Sequence, residues 1–493
     1  MRRPLARAWR AAAAAGLLVL VTLLGAAPSA LGQGPFAPFM TPEQEVEVGR
    51  QEHPKVVAEF GGVYDDPELG GYVAMIGGAL VANSEQPRYA FTFTILNSPV
   101  INAFALPGGY VYVTRGLMAL ANSEAELAGV LAHEIGHVTA RHPAQRYSRG
   151  VIANLGVTLL GILTDNPQVN QVAQIGGGLY LMRFSREEEY ESDLLGVGYL
   201  SRTGYNPWGQ ARFLESLGAE HELAQKLAGE EGRGLYELDF FSTHPRTSER
   251  VARAIEAAAG SGAQRDAPFR RDAYLAAIDG LLYGDDPAQG LVRGRVFAHP
   301  TLGFTFTVPP QFRITNQAQA VVAQGPRGAV IRFDGDERGG ARGMAYYLTR
   351  VWRPELELSA VDTLDINGME TATGAARVSG PAGEIDLRLV AIRFSARQIY
   401  RFQFTTPPDL TRALARELKR TAFSFRRLER AEAARLKPLR IRMVRVEAGD
   451  SAPVLARRMA FDDSALARFE VLNGLAPGQP LAQGSLMKIV VEE

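Results

Sequence analysis

Apolar positions recur along this chain at two different periods, and the switches between them mark its organisation. Thr41-Pro42 reads as an N-cap followed by proline at the first helical position, so a helix is expected from there to about Phe60. Asp66-Pro67 opens a second helix in the same way, with Leu69, Val73, Ile76 and Leu80 as its apolar stripe. The period then drops to two. Phe91, Phe93 and Ile95 alternate with threonines, which predicts a half-buried strand. Ile101 to Leu106 is a second extended piece, Pro107-Gly108-Gly109 a turn, and Tyr110 to Thr114 a third strand. Ser123 and Glu126 form a capping box, after which Leu127, Val130, Leu131, Ile135 and Val138 return to helical spacing. Ser185 and Glu188 open another helix by the same device; it ends near Thr203-Gly204 and a further helix follows to about Leu217.

Beyond that point the pattern changes again. Ala257 to Pro268 is rich in Ala and Gly, and Gly284-Asp285-Asp286-Pro287 and Gly290 are turn-like, so 261–292 reads as a connection. From Arg293 the chain alternates through Phe304, Phe306 and Val308, Val330 to Phe333, Leu387 to Phe394 and Ile399 to Phe404, and Leu410 to Ala422 is helical. This predicts an α+β domain over 293–428, a common domain size. Arg430 to Arg435 is a charged helical linker, and 438–493 forms a last small unit. The expected fold class is α+β throughout: a mainly helical domain with a small sheet at 33–260, then the α+β domain, then the small unit.

Composition changes this picture in three places. Arg2, Arg3, Arg7 and Arg10 precede an apolar run from Ala11 to Ala27 and the small residues Ala30-Leu31-Gly32. Residues 1–32 therefore read as a secretory signal, with an uncleaved membrane anchor as the alternative. The expected location is outside the cytoplasm, in the periplasm if the cell has an outer membrane. The chain has no cysteine, which removes disulfides, thiolate metal ligands and cysteine nucleophiles together. Its formal net charge is zero, so nothing points to nucleic acid as a partner. Val151 to Leu163 is almost wholly apolar yet too short to span a bilayer. It reads as a buried helix or as a lid or membrane-facing hairpin, and Gly176-Gly177-Gly178 as a joint behind it.

The chemistry lies in Leu131-Ala132-His133-Glu134-Ile135-Gly136-His137. Residues four apart on a helix lie about 40° apart around the axis, so His133 and His137 project from one face and suit one zinc ion. Glu134 follows the first histidine and can act on water as a general base without itself being a ligand. A third ligand must come from elsewhere. The next acids after Asp165 are Glu187, Glu188, Glu189, Glu191 and Asp193. Glu187 and Glu188 suit the first helical turn, where the dipole favours carboxylates. Glu189 and Asp193 share a face, so one can hold metal while the other orients a histidine. His142, just before Pro143, reads as a helix-end residue.

Glu189-Tyr190-Glu191-Ser192-Asp193 resembles the Glu-x-x-Ala-Asp motif of the BepA/HtpX/Ste-type zinc metalloendopeptidases, peptidase family M48. Asn102-Ala103-Phe104-Ala105-Leu106-Pro107-Gly108-Gly109 is similar to that family's edge-strand motif, and Ser242-Thr243-His244-Pro245 with Arg250 to its Ser-Thr-His-Pro…Arg motif. The resemblance covers roughly 41–258. It implies a gluzincin-type domain holding one zinc per chain through His133, His137 and Glu189, with Asp193 behind them. It implies catalytic roles for Glu134, His244 and Arg250: His244 as a regulatory ligand or transition-state stabiliser, Arg250 as a support or carbonyl-polarising group. Asn102, Ala103, Phe104 and Ala105 would pair with substrate backbone, a sheet corner being the alternative. Ser192 stands where the family has Ala. The 293–428 domain resembles PsbP/Mog-like sandwiches. Val446 to Ser451, Leu455 to Arg458, Leu472 to Leu475 and Leu486 to Val490 resemble a βααβ LysM module, which implies peptidoglycan as a partner of 438–493, although Ser451 replaces Thr and no aromatic sugar platform stands out. No tandem repeat is present. The expected activity is hydrolysis of misfolded or misassembled envelope proteins, and the alternative is an envelope-assembly scaffold with a latent zinc site. Contact with a membrane through 151–163 is a further expectation.

Overall fold

The computed structural model describes residues 40–150, 183–228, 240, 244, 248–263, 266–338, 342–380, 383–461 and 463–493. The expectations for the leader at 1–32, the apolar stretch 151–163, the glycine joint at 176–178, and Ser242, Thr243 and Pro245 fall outside them.

Helix α1 (Pro42–Glu59) starts at a Thr41 N-cap with a reciprocal bond from Gln44, and α2 (Pro67–Ala82) at an Asp66 N-cap. Then come β1 (Thr92–Leu96), β2 (Ala103–Leu106) and β3 (Tyr110–Thr114). They form one sheet in the order β1-β3-β2, with β1 and β3 parallel and β2 and β3 antiparallel. The β2–β3 turn needs left-handed backbone at Gly108 and Gly109, φ +85° and +81°, which a side chain would strain. A short helix α3 (Arg115–Leu120) leads into α4 (Glu124–Thr139), whose Ser123 cap accepts from the Glu126 amide. Every residue of α4 from Glu124 to Val138 is buried, including its polar ones. It is packed by α5 (Arg186–Thr203) and α6 (Trp208–Ala228). Helix α5 carries the expected Ser185/Glu188 capping box and ends at Gly204 in the left-handed conformation. Gly196 lets α5 approach closely: a Cβ there would sit 3.1 Å from the His133 amide nitrogen. Helix α7 (Ser248–Gly260) covers α5 and α6.

Residues 261–292, expected as a connection, carry α8 (Arg271–Ala277) and β4 (Leu282–Tyr283), with Tyr274 and Leu275 fully buried. Their Ala/Gly-rich flanks hid a short amphipathic segment. Next come β5 (Leu291–Arg293), β6 (Val296–His299), β7 (Phe304–Thr307), β8 (Arg313–Gln317), β9 (Ala320–Gln324) and β10 (Val330–Asp336). They are followed by β11 (Ser359–Ile366), β12 (Met369–Gly380), β13 (Gly383–Arg393), β14 (Ile399–Thr406), α9 (Pro408–Ser424) and β15 (Arg426–Arg427). Seven of these strands form a sheet in the order β11-β12-β13-β14-β10-β9-β8, and four more the order β15-β7-β6-β5. Phe304, Phe306, Phe333, Phe402 and Phe425 fill their shared core.

Strand β16 (Leu439–Arg445), helices α10 (Ala452–Ala456) and α11 (Ala465–Leu472), and strand β17 (Leu486–Glu492) complete the chain. This unit does not stand apart. β16 pairs with β17 on one side and β4 on the other. Ile441, Leu455, Phe469 and Val490 belong to the same continuous core as Leu127, Leu131 and Tyr274. Among the described residues no helix is long and apolar enough to cross a membrane.

Candidate metal centre

One helical turn separates His133 from His137, and the buried surroundings of α4 fix both rings. Their Nε2 atoms lie 3.0 Å apart. Glu189, from the first turn of α5, places Oε2 3.6 Å from the His133 Nε2 and Oε1 3.6 Å from the His137 Nε2. His244 brings its Nδ1 to 2.8 Å from Glu189 Oε1 and 3.3 Å from the His133 Nε2. One donor atom from each of these four residues lies within 4.8 Å of all the others, and all four are buried.

The donor set fits zinc. A tetrahedral ion with bonds of ~2.0–2.1 Å needs donors about 3.3 Å apart, and these separations bracket that value. Burial holds the His137 imidazole well below its ordinary pKa, in the neutral form a metal requires. Burial pushes Glu189 up, but the charges of His244 and Arg250 outweigh it and keep the carboxylate ionised, well below the usual range. His244 Nε2 is buried and makes no hydrogen bond among the described residues. A buried polar atom is rarely left so, and a cation beside it removes the cost.

A shell of partners sets the ligands. Asp193 Oδ1 is 2.9 Å from the His133 Nδ1, on the ring edge away from the cluster. Gln210 Nε2 donates to the same oxygen at 2.8 Å. Arg250 clamps both acids: its Nε and Nη2 donate to Asp193 at 2.7 and 2.8 Å, and its Nη1 lies 2.5 Å from Glu189 Oε2. Burial pushes Asp193 up, yet the Arg250 bonds and charge hold it below the ordinary carboxylate range. His142 Nδ1 lies 2.9 Å from the His137 Nδ1, so this residue orients a ring of the cluster rather than merely ending the helix. Phe184 stacks on His137 with centroids 3.9 Å apart, and Phe240 on His244 at 4.5 Å.

Glu134 stands beside this cluster, fully buried, with Oε1 3.5 Å from the His244 Nε2. Neither carboxylate oxygen has a hydrogen bond among the described residues. Burial pushes its pKa up to about 7, the negative charge of Glu189 adding to the effect while His133, Arg146 and Arg250 oppose it. A carboxyl poised near neutrality, with no hydrogen bond of its own among the described residues, is equipped to take and return a proton.

Residues 67–258 match the family model described as Peptidase family M48. The similarity to that family is carried by this segment, about two fifths of the chain. The chain is 35% identical over 201 residues to the beta-barrel assembly-enhancing protease of Escherichia coli K12, covering 38% of this chain and 39% of that one. The protein of the same name from Yersinia pestis is 31% identical over 204 residues, covering 38% of this chain and 39% of its own. The mitochondrial metalloendopeptidase OMA1 of Arabidopsis thaliana is 33% identical over 173 residues, covering 35% and 32%. The chain thus spans about two fifths of the length of the curated relatives it matches. A solution structure of cyanobacterial PsbP from Synechocystis aligns at TM-score 0.23 and 14% identity over 29% of this chain and 98% of that one, too low a score to assign a fold.

The tertiary structure brings His133, Glu134, His137, Glu189, Asp193, His244 and Arg250 into one site. Asn102 to Ala105 are buried, in and just before β2, the edge strand of the small sheet, which packs against α4. Four contributors had no signature in the sequence. Phe184 is a lone aromatic and Phe240 one of an adjacent Phe240-Phe241 pair in unpatterned stretches, Gln210 is one amide in an amphipathic helix, and Arg146 is one arginine among several. His142 had a signal: a third histidine five residues after His137.

Proposed function

We propose that this chain is an exported zinc metalloendopeptidase acting on misfolded or misassembled envelope proteins in the periplasm. One observation carries the reading: a buried Glu134, neither oxygen of which has a hydrogen bond among the described residues, beside four buried donors close enough to share one metal ion. His133, His137 and Glu189 would hold the zinc. When bound there, zinc supplies Lewis-acid chemistry, polarising a peptide carbonyl and making a water more acidic. Glu134 takes a proton from the attacking water as its oxygen bonds to the carbonyl carbon. It then gives that proton to the departing amine nitrogen as the C–N bond breaks. Asp193 fixes the His133 ring by holding its Nδ1, and Arg250 keeps Glu189 and Asp193 ionised and in register. Arg250 is therefore a positioning residue. Asn102 to Ala105 would present an edge to which substrate backbone adds as a strand. The envelope substrates follow from the names of the relatives, and the periplasmic location from the leader-like residues 1–32.

Glu134→Gln tests this directly. The variant is expected to keep one zinc per chain while cleavage of an unfolded protein falls by ~10³-fold, within the range for loss of a general base. His137→Ala is expected to lose the metal. Unchanged proteolysis by Glu134→Gln would sink the mechanism.

A second reading is favoured by the place of His244. Its Nδ1 lies among the ligand atoms, where a fourth donor would close the site. A closed site would leave the chain as a latent protease or an assembly scaffold. His244→Ala separates the two: faster cleavage marks a cap, slower cleavage a group needed in the reaction.

A further inference from the structure

A cavity of about 760 Å³ lies between the peptidase segment and the seven-stranded sheet. One wall is the Pro99–Ile101 loop that runs into β2, together with Leu217 and Ala224 of α6. The opposite wall is β8 and the β8–β9 turn. Phe240 also lines it, and this residue ties the cavity to the metal centre. Its ring stacks on His244 with centroids 4.5 Å apart, and its amide donates to the Ile101 carbonyl at 2.9 Å.

We propose that this cavity holds an extended, uncharged stretch of the substrate polypeptide, remote from the bond being cut. The proposal rests on the peptidase reading and names the form of substrate that reading requires. Three observations carry it. First, β8 is the last strand of its sheet, and its outer edge pairs with no other strand among the described residues. Such an edge accepts an added strand through main-chain hydrogen bonds that make no demand on side chains. Its five residues offer ~17 Å of pairing length. Second, the polar lining is mostly amide and hydroxyl, with Asn97, Thr315, Gln317, Gln319 and Gln324 beside apolar Ile314 and Ile101, while Glu59, Glu220 and His221 line the peptidase side. The arginines there are already engaged: Arg313 donates to the Leu227 carbonyl at 3.0 Å and Arg332 lies 3.4 Å from Asp334. An uncharged backbone suits such a wall better than a phosphate or an acidic ligand. Third, the loop forming the near wall continues directly into Asn102 and β2, so a chain lying along the β2 edge and past its start would enter the cavity.

The test compares long and short substrates on the full chain. Ala318→Trp, in the exposed β8–β9 turn, and Ala224→Trp, on α6, would each fill part of the space. KM for a long unfolded protein, reduced and alkylated casein, is expected to rise ~10-fold, as for loss of 1.4 kcal/mol of binding. The kcat/KM for a short quenched-fluorescence peptide should stay unchanged. In parallel, a labelled uncharged peptide long enough to span β8 is titrated into the Glu134→Gln chain by anisotropy, with and without each tryptophan. Weakened binding in that background supports the cavity whether or not cleavage is seen. Equal binding with and without the tryptophans overturns it, as does an equal loss on both substrates. Thermal melts confirm folding, and Ala318→Trp alone carries the test if Ala224→Trp unfolds. Should the wild type cleave neither substrate, the peptidase reading fails and the anisotropy still judges the cavity.

Discussion

Lys488→Met should damage the peptidase segment although the residue lies at the far end of the chain. Its side chain is fully buried. Nζ donates to the carbonyls of Ala119, Leu120 and Ala121 at 2.7, 3.1 and 2.8 Å. Those carbonyls close the C-terminal end of α3, which has no further helix to satisfy them, and a cation there also meets the negative end of the helix dipole. Burial lowers the ammonium pKa well below its ordinary value, with Arg271 adding to this and Glu126 opposing it. Methionine keeps the volume and spares the cost of burying a charge. It leaves three acceptors without partners and removes one of the cations facing Glu126, whose pKa burial already raises. Breaking one side of a buried charged network costs ~3–5 kcal/mol, and the three lost bonds are of that order together. The loss should appear as a lower denaturation midpoint in guanidinium chloride, followed by far-ultraviolet circular dichroism and by zinc retention. Both signals should move together, because β16, β17 and α4 share one core. Deleting 438–493 should likewise unfold the metal centre instead of releasing a tether. A Lys488→Met protein within ~1 kcal/mol of wild type would refute the claim that this lysine joins the two parts.

Two other outcomes follow from the same geometry. Arg250→Lys keeps a charge but not the fork that spans Glu189 and Asp193, so zinc affinity measured by chelator competition should fall ~10–100-fold; wild-type affinity would mean that Arg250 does not position the ligands. His299 accepts from the Leu302 amide, and burial lowers its pKa to about 4, against the pull of Asp286. A histidine depressed in the folded state adds stability above its unfolded pKa of ~6.5 that is lost as pH falls through about 4, here ~3 kcal/mol at most. Thermal melts of wild type should fall more steeply between those pH values than melts of His299→Asn, and parallel curves would contradict this.

Local chemistry was legible in the sequence wherever neighbours along the chain are neighbours in space. The i, i+4 spacing of His133 and His137, the N-cap at Ser123, the capping box at Ser185, and the glycine turn at Gly108 act within a few residues, so the pattern determined them; only at Ser123 does the reciprocal bond differ, Glu126 accepting from the Asn122 amide. Glu189 and Asp193 could be narrowed to one helix face for the same reason. What the sequence could not decide were contacts between distant segments, because no period links them. Phe184 on His137, Phe240 on His244 and Gln210 on Asp193 exist only because α4 is enclosed from several sides. The terminal unit reads as a separate module because its own apolar pattern closes a small βααβ unit. Packing decided otherwise: Lys488 reaches 367–369 residues back along the chain, and the core it enters is that of the metal centre. Burial of apolar surface is non-directional, so it joins whichever faces meet, and only the tertiary structure says which those are.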